Sequence, residues 1–298
     1  MKGNSKESVG TIAAVELVWE TNNTATAPET ANTIIAKVGV DDGYITFSTP
    51  ATLAHGNALI AAKDADGKIL WSWHIWIPKT EVKTLDAGFA GEKAILDRNL
   101  GALIVTPTTD KALESEGLYY QWGRKDPLLG EKITAVPADV VKQFVKDVQT
   151  DVATAIQNPV VFYYNEGKDW LATPDATLWD NEGKKTIYDP CPVGYKVPAY
   201  DATLDMWNKV DNDTFPTLWT YDEAKGYVKF TTGTATFPLC GYVNGSSQSI
   251  SGYGKRSLVW SSAAKSETHG SGMFIRENKY ISDGNHKSCG ASVRCIAE

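Results

Sequence analysis

The chain lacks three features that would each place it in a functional class. It has no run of about 18 apolar residues, so no segment is predicted to span a membrane as a helix. It has no basic excess: its net charge is −7 and its pI is near 5.2, which argues against a nucleic-acid partner. It has only four cysteines and four histidines, without a C-x-x-C pair, so neither a metal site nor a cofactor is predicted.

The first ten residues, MKGNSKESVG, lack the apolar segment of a signal peptide. This does not indicate a cytosolic protein, because a mature fragment would begin in the same way. The apolar residues make up 42% of the chain and the charged residues 22%, as in ordinary globular proteins. Ten tryptophans and thirteen tyrosines are many for this length and are typical of β-structured extracellular domains.

Residues 11–77 carry alternating apolar patterns that predict β-strands. Asp42-Gly43 predicts a hairpin turn, and a second hairpin is predicted across residues 64–67. The last strand has Leu70, Ser72, His74 and Trp76 on one face, and Trp71, Trp73, Ile75 and Ile77 on the other. We interpret His74 as a strand histidine with one hydrogen bond rather than as a ligand or a switch. Five strands with regular turns predict a small β-sandwich.

The remainder of the chain has a mixed texture after a connector at residues 78–95. Residues 137–159 place apolar side chains at helical spacing between two prolines, which predicts an amphipathic helix. A second, shorter helix is predicted to begin at Asp201 as its N-cap. Strand patterns return from residue 227 onward, so an α+β region is predicted.

The four cysteines are Cys191, Cys240, Cys289 and Cys295. A catalytic thiol would need a base, which His269 or His286 could supply. The other interpretation is two disulfides formed in an oxidising compartment, with three possible connectivities. We favour the nested pairing of Cys191 with Cys295 and of Cys240 with Cys289. In that pairing, the turn that holds Cys191 between two prolines anchors the C-terminal strand.

Seven short motifs follow one another in a recognisable order: ILDRNLGA (95–102), GLYYQWGRKDP (117–127), IQNPVVFYY (156–164), YDPCPVGYKVP (188–198), FPLCGYVNG (237–245), VWSS (259–262) and ASVRC (291–295). This order resembles the Fibrobacter succinogenes major paralogous domain of secreted Bacteroidetes proteins, which is related to C-type-lectin-like and sulfatase-modifying-factor folds. The stretches DGYITFSTP and ILWSWHIWIP resemble the β-sandwich that accompanies this domain in fimbrillin-family and fimbrial tip-like proteins of Bacteroidales.

The resemblance implies two domains: an N-terminally truncated, Ig-like all-β sandwich at 1–82 and a C-type-lectin-like α+β domain at 83–298. In such chains KGNS falls inside the sandwich and is preceded by a further strand. The resemblance also implies export to the cell surface or secretion, and an adhesive or carbohydrate-binding role in fimbriae. The partners expected from it are a glycan, a protein ligand or other pilus subunits. Fold analogy by itself does not establish that role.

Two features depart from better-known relatives of this fold. Calcium-dependent lectins carry acidic residues after a late tryptophan, whereas here Trp260 is followed by two serines, so calcium-mediated sugar binding is not expected. The formylglycine-generating relatives use a late cysteine pair. Cys289 and Cys295 are six positions apart, but Cys295 ends a short strand that looks structural across this family, so no catalytic residue is predicted.

Two segments carry the candidate ligand-binding residues. In QWGRKDP, Trp122 could stack on a sugar ring while Arg124 and Asp126 bind its hydroxyls; alternatively, the tryptophan is core and the other two tie down a loop. The Gly/Ser-rich loop 241–256 is either a recognition loop or a solvated connector. Its candidates are Tyr242, Asn244, Tyr253, Lys255 and Arg256, and the neighbouring loop 263–273 adds Lys265, Glu267 and His269.

Three functions are therefore compared. A binding module would expose an aromatic surface at residues 242–256. A structural pilus or surface-assembly subunit would show an open groove or sheet edge against residues 11–20, where a strand is accepted or donated. An oxidative enzyme would have free, reactive thiols at Cys289 and Cys295. We expect the first, a non-catalytic adhesin or pilus-tip-like protein.

Overall fold

A computed structural model describes residues 1–3, 5–25, 31–86, 94–106, 113–130, 132–133, 135–137, 143–199, 219–222, 224–230, 235–245, 249–276 and 279–298. This part of the chain is mostly β-strand, with one short α-helix and one 3-10 turn. None of its helices is long and apolar enough to cross a membrane.

The N-terminal part contains five strands: β1 (Ala14–Thr21), β2 (Lys37–Asp41), β3 (Tyr44–Ser48), β4 (Gly56–Lys63) and β5 (Ile69–Ile77). β1, β4 and β5 form an antiparallel sheet in that order, and β2 pairs with β3 as a hairpin. Asp42 and Gly43 have φ of 46° and 77°, which is the left-handed conformation that a two-residue hairpin turn requires. The turn predicted from Asp-Gly is therefore confirmed.

The alternation predicted for β5 is also confirmed, and it gives the three-stranded sheet two buried faces. On one face, Ile75 and Ile77 pack in a small hydrophobic cluster with Ile34 and Ile35, so the segment just before β2 covers this end of the sheet. On the other face, His74 Nε2 donates to Asn57 Oδ1 at 2.8 Å, as expected for a structural strand histidine. Burial lowers the pKa of His74 to about 3, so the ring is neutral.

That second face of the sheet packs directly on the C-terminal part of the chain. Ser72 donates to Asp126 at 2.6 Å, and Trp76 Nε1 donates to the carbonyl of Ala102 at 3.0 Å. Trp19 also lies in the same hydrophobic cluster as Trp260. The two parts therefore share one core, and the domain boundary near residue 82 stays a prediction.

The C-terminal part is built from short strands: β6 (Thr84–Asp86), β7 (Ala94–Leu96), β8 (Tyr119–Gln121), β9 (Gln143–Lys146), β10 (Val161–Tyr164), β11 (Asp180–Asn181), β12 (Lys184–Lys185), β13 (Tyr195–Lys196), β14 (Trp219–Asp222), β15 (Tyr227–Phe230), β16 (Thr236–Pro238), β17 (Tyr242–Asn244), β18 (Ser249–Ser251), β19 (Arg256–Ala264), β20 (His269–Arg276), β21 (Lys279–His286), β22 (Gly290–Ser292) and β23 (Ile296–Ala297). The largest sheet runs β18-β17-β22-β19-β20-β21, with β8 also pairing with β22. A second sheet runs β13-β23-β7-β6.

The helix predicted over residues 137–159 is wrong for most of its described length. Gln143–Lys146 is the strand β9, which pairs in parallel with β10, and only Val152–Gln157 is helical (α1). Asp151 caps this helix by accepting from the Thr154 N–H at 2.7 Å. The β-branched valines that gave the helical spacing are also good strand formers, and pairing with a buried neighbour decided between the two. The helix predicted from Asp201 lies outside the described residues.

The predicted Cys191–Cys295 disulfide is confirmed; it joins residues 104 positions apart. The carboxylate of Asp189 organises the turn around Cys191, because it accepts from the backbone N–H groups of Cys191 and Val197, both at 2.8 Å. The second predicted bond is not formed: Cys240 and Cys289 are free and buried. They belong to different hydrophobic clusters, and the Cys240 sulfur instead lies 3.2 Å from Ser292 Oγ.

Candidate functional site

The first group of predicted ligand-binding residues lies in the interior. Trp122 is 1% exposed, and its Nε1 donates to the Ser261 carbonyl at 2.9 Å. Asp126 is 3% exposed and accepts from Ser72 and Lys125, each at 2.6 Å. A ligand has no access to these groups, so the structure favours the alternative in which the motif forms the core.

Arg124 shows most clearly that this motif is structural. It is 3% exposed, and its guanidinium donates to Gln121 Oε1 at 2.9 Å. It also donates to three backbone carbonyls: those of Asn158 and Pro159, in the loop before β10, and that of Val161, the first residue of β10. Burial lowers the pKa of Arg124, while the neighbouring Asp126 opposes that shift. The side chain thus satisfies backbone groups between β8 and β10 instead of reaching solvent.

The second group, around residues 241–256, is held by contacts within the protein. Tyr242 packs edge-on against Phe274 at 5.7 Å between ring centroids, and the Arg256 guanidinium lies 5.2 Å from the centre of the Tyr242 ring. Arg256 also donates to Ser251 Oγ at 2.5 Å. Asn244 is half-buried at the end of β17. Lys255 alone among the five candidates is exposed, and Tyr242 and Tyr253 are both half-buried, so the described part of this loop presents no fully exposed aromatic ring.

Tyr253 is tied to a carboxyl group that the sequence analysis did not single out. Its hydroxyl donates to Glu116, which is 5% exposed, and Lys132 Nζ lies 3.7 Å from the centre of the tyrosine ring. Burial raises the pKa of Glu116 to about 7, although the hydrogen bond from Tyr253 and the charge of Lys132 act in the opposite direction. Glu116 therefore changes charge near neutral pH, in a contact that fastens the 249–256 segment.

The raised pKa of Glu116 makes a prediction about stability. The folded protein binds this proton up to about pH 7, whereas an unfolded glutamate releases it near 4.5, so the stabilisation is present at low pH and lost as the pH rises. The free energy of unfolding of Glu116→Gln, relative to wild type, is expected to rise by about 2 to 3 kcal/mol between about pH 5 and about pH 8. Urea unfolding at both pH values measures it.

His74, whose pKa is lowered by burial, contributes a pH dependence of the opposite sign, because its stabilising effect is lost as the pH falls. Wild type and Glu116→Gln both contain His74, so this contribution cancels in the difference between their stabilities. Tyr253→Phe is the companion variant, since it keeps the carboxyl buried but removes its hydrogen-bond donor. Because the hydrogen bond from Tyr253 lowers the pKa of Glu116, its removal raises that pKa further, and we expect the loss of stability to extend to higher pH. An equal difference between Glu116→Gln and wild type at both pH values would mean that the folded protein holds Glu116 ionised throughout.

The neighbouring loop, residues 263–273, forms part of a hairpin and not a separate surface. His269 faces His286 across β20 and β21, with ring centroids 4.3 Å apart, and Thr268 Oγ1 lies 2.8 Å from His269 Nδ1. Lys265 and Glu267 are exposed. Within the described ranges, no group of three or more His, Cys, Asp or Glu side chains is arranged to hold a metal ion.

A groove beside the N-terminal hairpin was missed by the sequence analysis. It has a volume of about 450 Å³ and lies between the N-terminal segment, the β2–β3 turn and β5. Its apolar lining comes from Val9, Ile12, Tyr44, Ile45 and Trp73, and Lys6 and Asp42 supply charges at its rim.

The face of β5 that carries Trp73, Ile75 and Ile77 is covered unevenly. Ile75 and Ile77 pack against the cluster formed by Ile34, Ile35 and Ala58, whereas Trp73, on the same face, lines the groove. Tyr44, next to the turn, is 65% exposed, and Phe47 on the same strand is 45% exposed. Phe47, three positions along the strand, points to the other face, whereas Tyr44 lines the groove with Trp73. Contiguous apolar groups at a concave surface mark a binding site more often than scattered ones do. The aromatic residues beside the Asp-Gly turn in DGYITFSTP are the sequence feature from which the groove could have been predicted.

The thiols do not support the oxidative-enzyme alternative. Cys295 is bonded to Cys191, so the late cysteine pair on which that alternative depends does not exist as two thiols. Burial raises the pKa of Cys289 to about 12, which keeps its sulfur protonated and weakly nucleophilic at neutral pH.

No protein-family model, no curated protein and no solved structure matches this chain. The resemblance carried by the seven motifs consequently remains a prediction.

Proposed function

We propose that this protein is an exported cell-surface binding module, an adhesin or pilus-tip-like protein, that takes up a glycan or a protein ligand in the groove beside the hairpin. The observation that carries the proposal is the exposure of Tyr44 next to a groove of about 450 Å³ into which Trp73 opens. The groove has the size and mixed lining of ordinary ligand sites. No bond-making chemistry is needed for this function.

The proposed recognition combines stacking with a few polar contacts. The rings of Trp73 and Tyr44 offer apolar faces suited to a sugar ring or to an apolar peptide side chain. Lys6 and Asp42 at the rim offer a donor and an acceptor for hydroxyl or amide groups of the ligand. We place the binding site here rather than at residues 242–256, because the aromatic rings of that segment are occupied by contacts within the protein.

The wider setting of this proposal is the two-domain fold implied by the motifs, a sandwich followed by a C-type-lectin-like domain. The Cys191–Cys295 disulfide supports export, because such bonds persist in oxidising compartments. The mostly β architecture of the described residues agrees with such a fold without distinguishing it from other β folds.

A second candidate function, a structural subunit that accepts a strand, is favoured by the strand edges around the groove. Among the described residues, β5 pairs only with β4 and β3 pairs only with β2. Unpaired edges of this kind can be extended by a strand from another chain. The structural alternative expected an opening against residues 11–20, and the groove reaches that range only at Ile12; the rest of its N-terminal lining comes earlier in the chain.

Binding of the proposed kind predicts a large loss of affinity on removing the aromatic rings. Trp73→Ala and Tyr44→Ala are each expected to weaken binding about tenfold or more, since truncating an aromatic anchor of a binding site costs about 2 kcal/mol. A glycan array identifies a ligand, and titration calorimetry of the variants measures the change. The control is Val193→Ala, which removes an apolar side chain that is 77% exposed and does not line the groove.

The variants also separate the two candidate functions. Unchanged binding of an identified ligand in both aromatic variants, with folding intact by circular dichroism, would rule out the groove as its site. If the array is blank but the wild-type chain self-associates, and Tyr44→Ala abolishes that association, the structural subunit is supported instead.

A further inference from the structure

A lysine and an aspartate form an unusual pair deep in the C-terminal part. Lys287 Nζ lies 3.3 Å from Asp169 Oδ2, and both side chains are 1% exposed. Apart from this contact with each other, neither of these two atoms has a hydrogen-bond partner. Two charges left in this state would be costly, because buried ions are tolerated only when hydrogen bonds replace their lost water.

Two other buried lysine–aspartate pairs in the same protein show the ordinary arrangement. Lys125 Nζ donates to Asp126 at 2.6 Å and to both oxygens of Ser72. Lys185 Nζ donates to Asp189 Oδ1 at 2.5 Å and to the Cys191 carbonyl at 2.7 Å. In both pairs the ammonium group is saturated with acceptors, so the Lys287–Asp169 pair is the exception.

The backbone around Trp122 holds the exceptional pair together. The Trp122 N–H donates to the Lys287 carbonyl at 3.2 Å, and Trp170 Nε1, next to Asp169, donates to the Trp122 carbonyl at 2.8 Å. The Trp122 ring lies 4.5 Å from Lys287 Nζ, which shields the amine from water. The two reacting groups are thereby fixed next to each other in a dry site, the condition under which intramolecular reactions become fast.

The carboxyl group is also prepared in a specific way. Asp169 Oδ1 accepts from the Leu171 N–H at 3.2 Å, while Oδ2 faces the lysine. Burial raises the pKa of Asp169, against the influence of Lys287 and the backbone N–H donors, which favours the neutral acid. The Leu171 N–H is placed to stabilise negative charge that develops on Oδ1 during attack at the carboxyl carbon.

We propose that Lys287 and Asp169 become joined by an intramolecular amide bond. A proton passes from the ammonium group to the carboxylate, the neutral amine attacks Cγ, and the bond from Cγ to Oδ2 breaks. Two of the three ammonium protons leave with Oδ2 as one water molecule, and the third stays on the amide nitrogen. The positive and negative charges of the pair are both lost, so the net charge is unchanged. No atom changes its oxidation state, so no oxidant, reductant or other co-reactant is required.

The bond is tested by the intact mass of the fully reduced, denatured wild-type protein. We expect a mass one water, about 18 Da, below that of the sequence. Lys287→Met and Asp169→Ala, which each remove one reacting group, are expected to show the full mass of their sequences. A wild-type protein with the full sequence mass overturns the proposal and leaves a buried ion pair next to an aromatic ring.

A tryptic digest gives a second readout that does not depend on whether the variants fold. Because trypsin does not cleave after an acylated lysine, we expect the peptide 280–294 to stay uncut at Lys287 and to be joined to the peptide that begins at Asp169. Cleavage after Lys185, in the saturated pair with Asp189, is the matched control in the same sample. Efficient cleavage after Lys287 in the wild-type protein would contradict the amide bond.

Discussion

Removal of the Cys191–Cys295 disulfide is expected to lower the free energy of unfolding by about 4 to 5 kcal/mol. The bond links residues 104 positions apart, and closing a loop of about 100 residues restricts the unfolded chain by that amount in the chain-entropy model. It also connects the turn before β13 to the chain just before β23, two strands that pair with each other. Urea unfolding of the double variant Cys191→Ala/Cys295→Ala, compared with wild type, measures the loss.

Cys240→Ser is the control for this experiment. It replaces a buried sulfur that already lies beside two serine hydroxyls and leaves the disulfide in place. We expect a change of about 1 kcal/mol or less from this near-isosteric replacement. A double variant that loses no more stability than Cys240→Ser would show that the unfolded chain is already restrained by other contacts.

Replacement of Arg124 is expected to lower the free energy of unfolding by about 3 to 5 kcal/mol, the usual cost of removing one member of a buried polar network. Arg124→Met keeps most of the side-chain volume but removes the guanidinium donor from the carbonyls of Pro159 and Val161, and from that of Asn158, which still accepts from the Val161 N–H. It also removes the cation from its position 5.7 Å from the Trp170 ring. Chemical unfolding measures the loss.

Arg276→Met provides the matched control, because this arginine is exposed at the end of β20. Its replacement is expected to change stability by no more than about 0.5 kcal/mol. The comparison also decides between the two interpretations of the QWGRKDP motif. If Arg124 bound a ligand, Arg124→Met would abolish binding and leave the free energy of unfolding unchanged. If Arg124 is part of the core, the same variant lowers the free energy of unfolding.

Local patterns were sufficient for part of the fold. The Asp42-Gly43 turn, the alternation of β5 and the structural role of His74 were all predicted, because each depends on a few neighbouring residues or on a period of two. The Cys191–Cys295 pair was chosen from three possible connectivities and is confirmed. The other predicted bond, between Cys240 and Cys289, is wrong because the two cysteines lie in different hydrophobic clusters. Their spacing in the sequence does not show this.

The candidate site was predicted less well, and the reason is physical. QWGRKDP contains residue types that bind ligands, but the same types also satisfy buried carbonyls, and only the contacts of Arg124 distinguish the two roles. The groove depends on where the β2–β3 turn and the N-terminal segment lie relative to Trp73 of β5. That arrangement is set by packing between segments that are separate in the sequence.

The sequence by itself therefore determined that the N-terminal part is built of β-strands, with an Asp-Gly hairpin and an alternating tryptophan-rich strand, and that Cys191 forms a disulfide. Those features follow from backbone preference and side-chain period, which act over a few residues. The α+β character that it predicted for the C-terminal part is not seen in the described residues, which are mostly β-strand there as well. Tertiary structure decided that Gln143–Lys146 is a strand, that Trp122 and Arg124 are buried, and that Trp73 opens into a groove. Each of these outcomes depends on which distant segment lies alongside, and burial against that segment outweighs local preference.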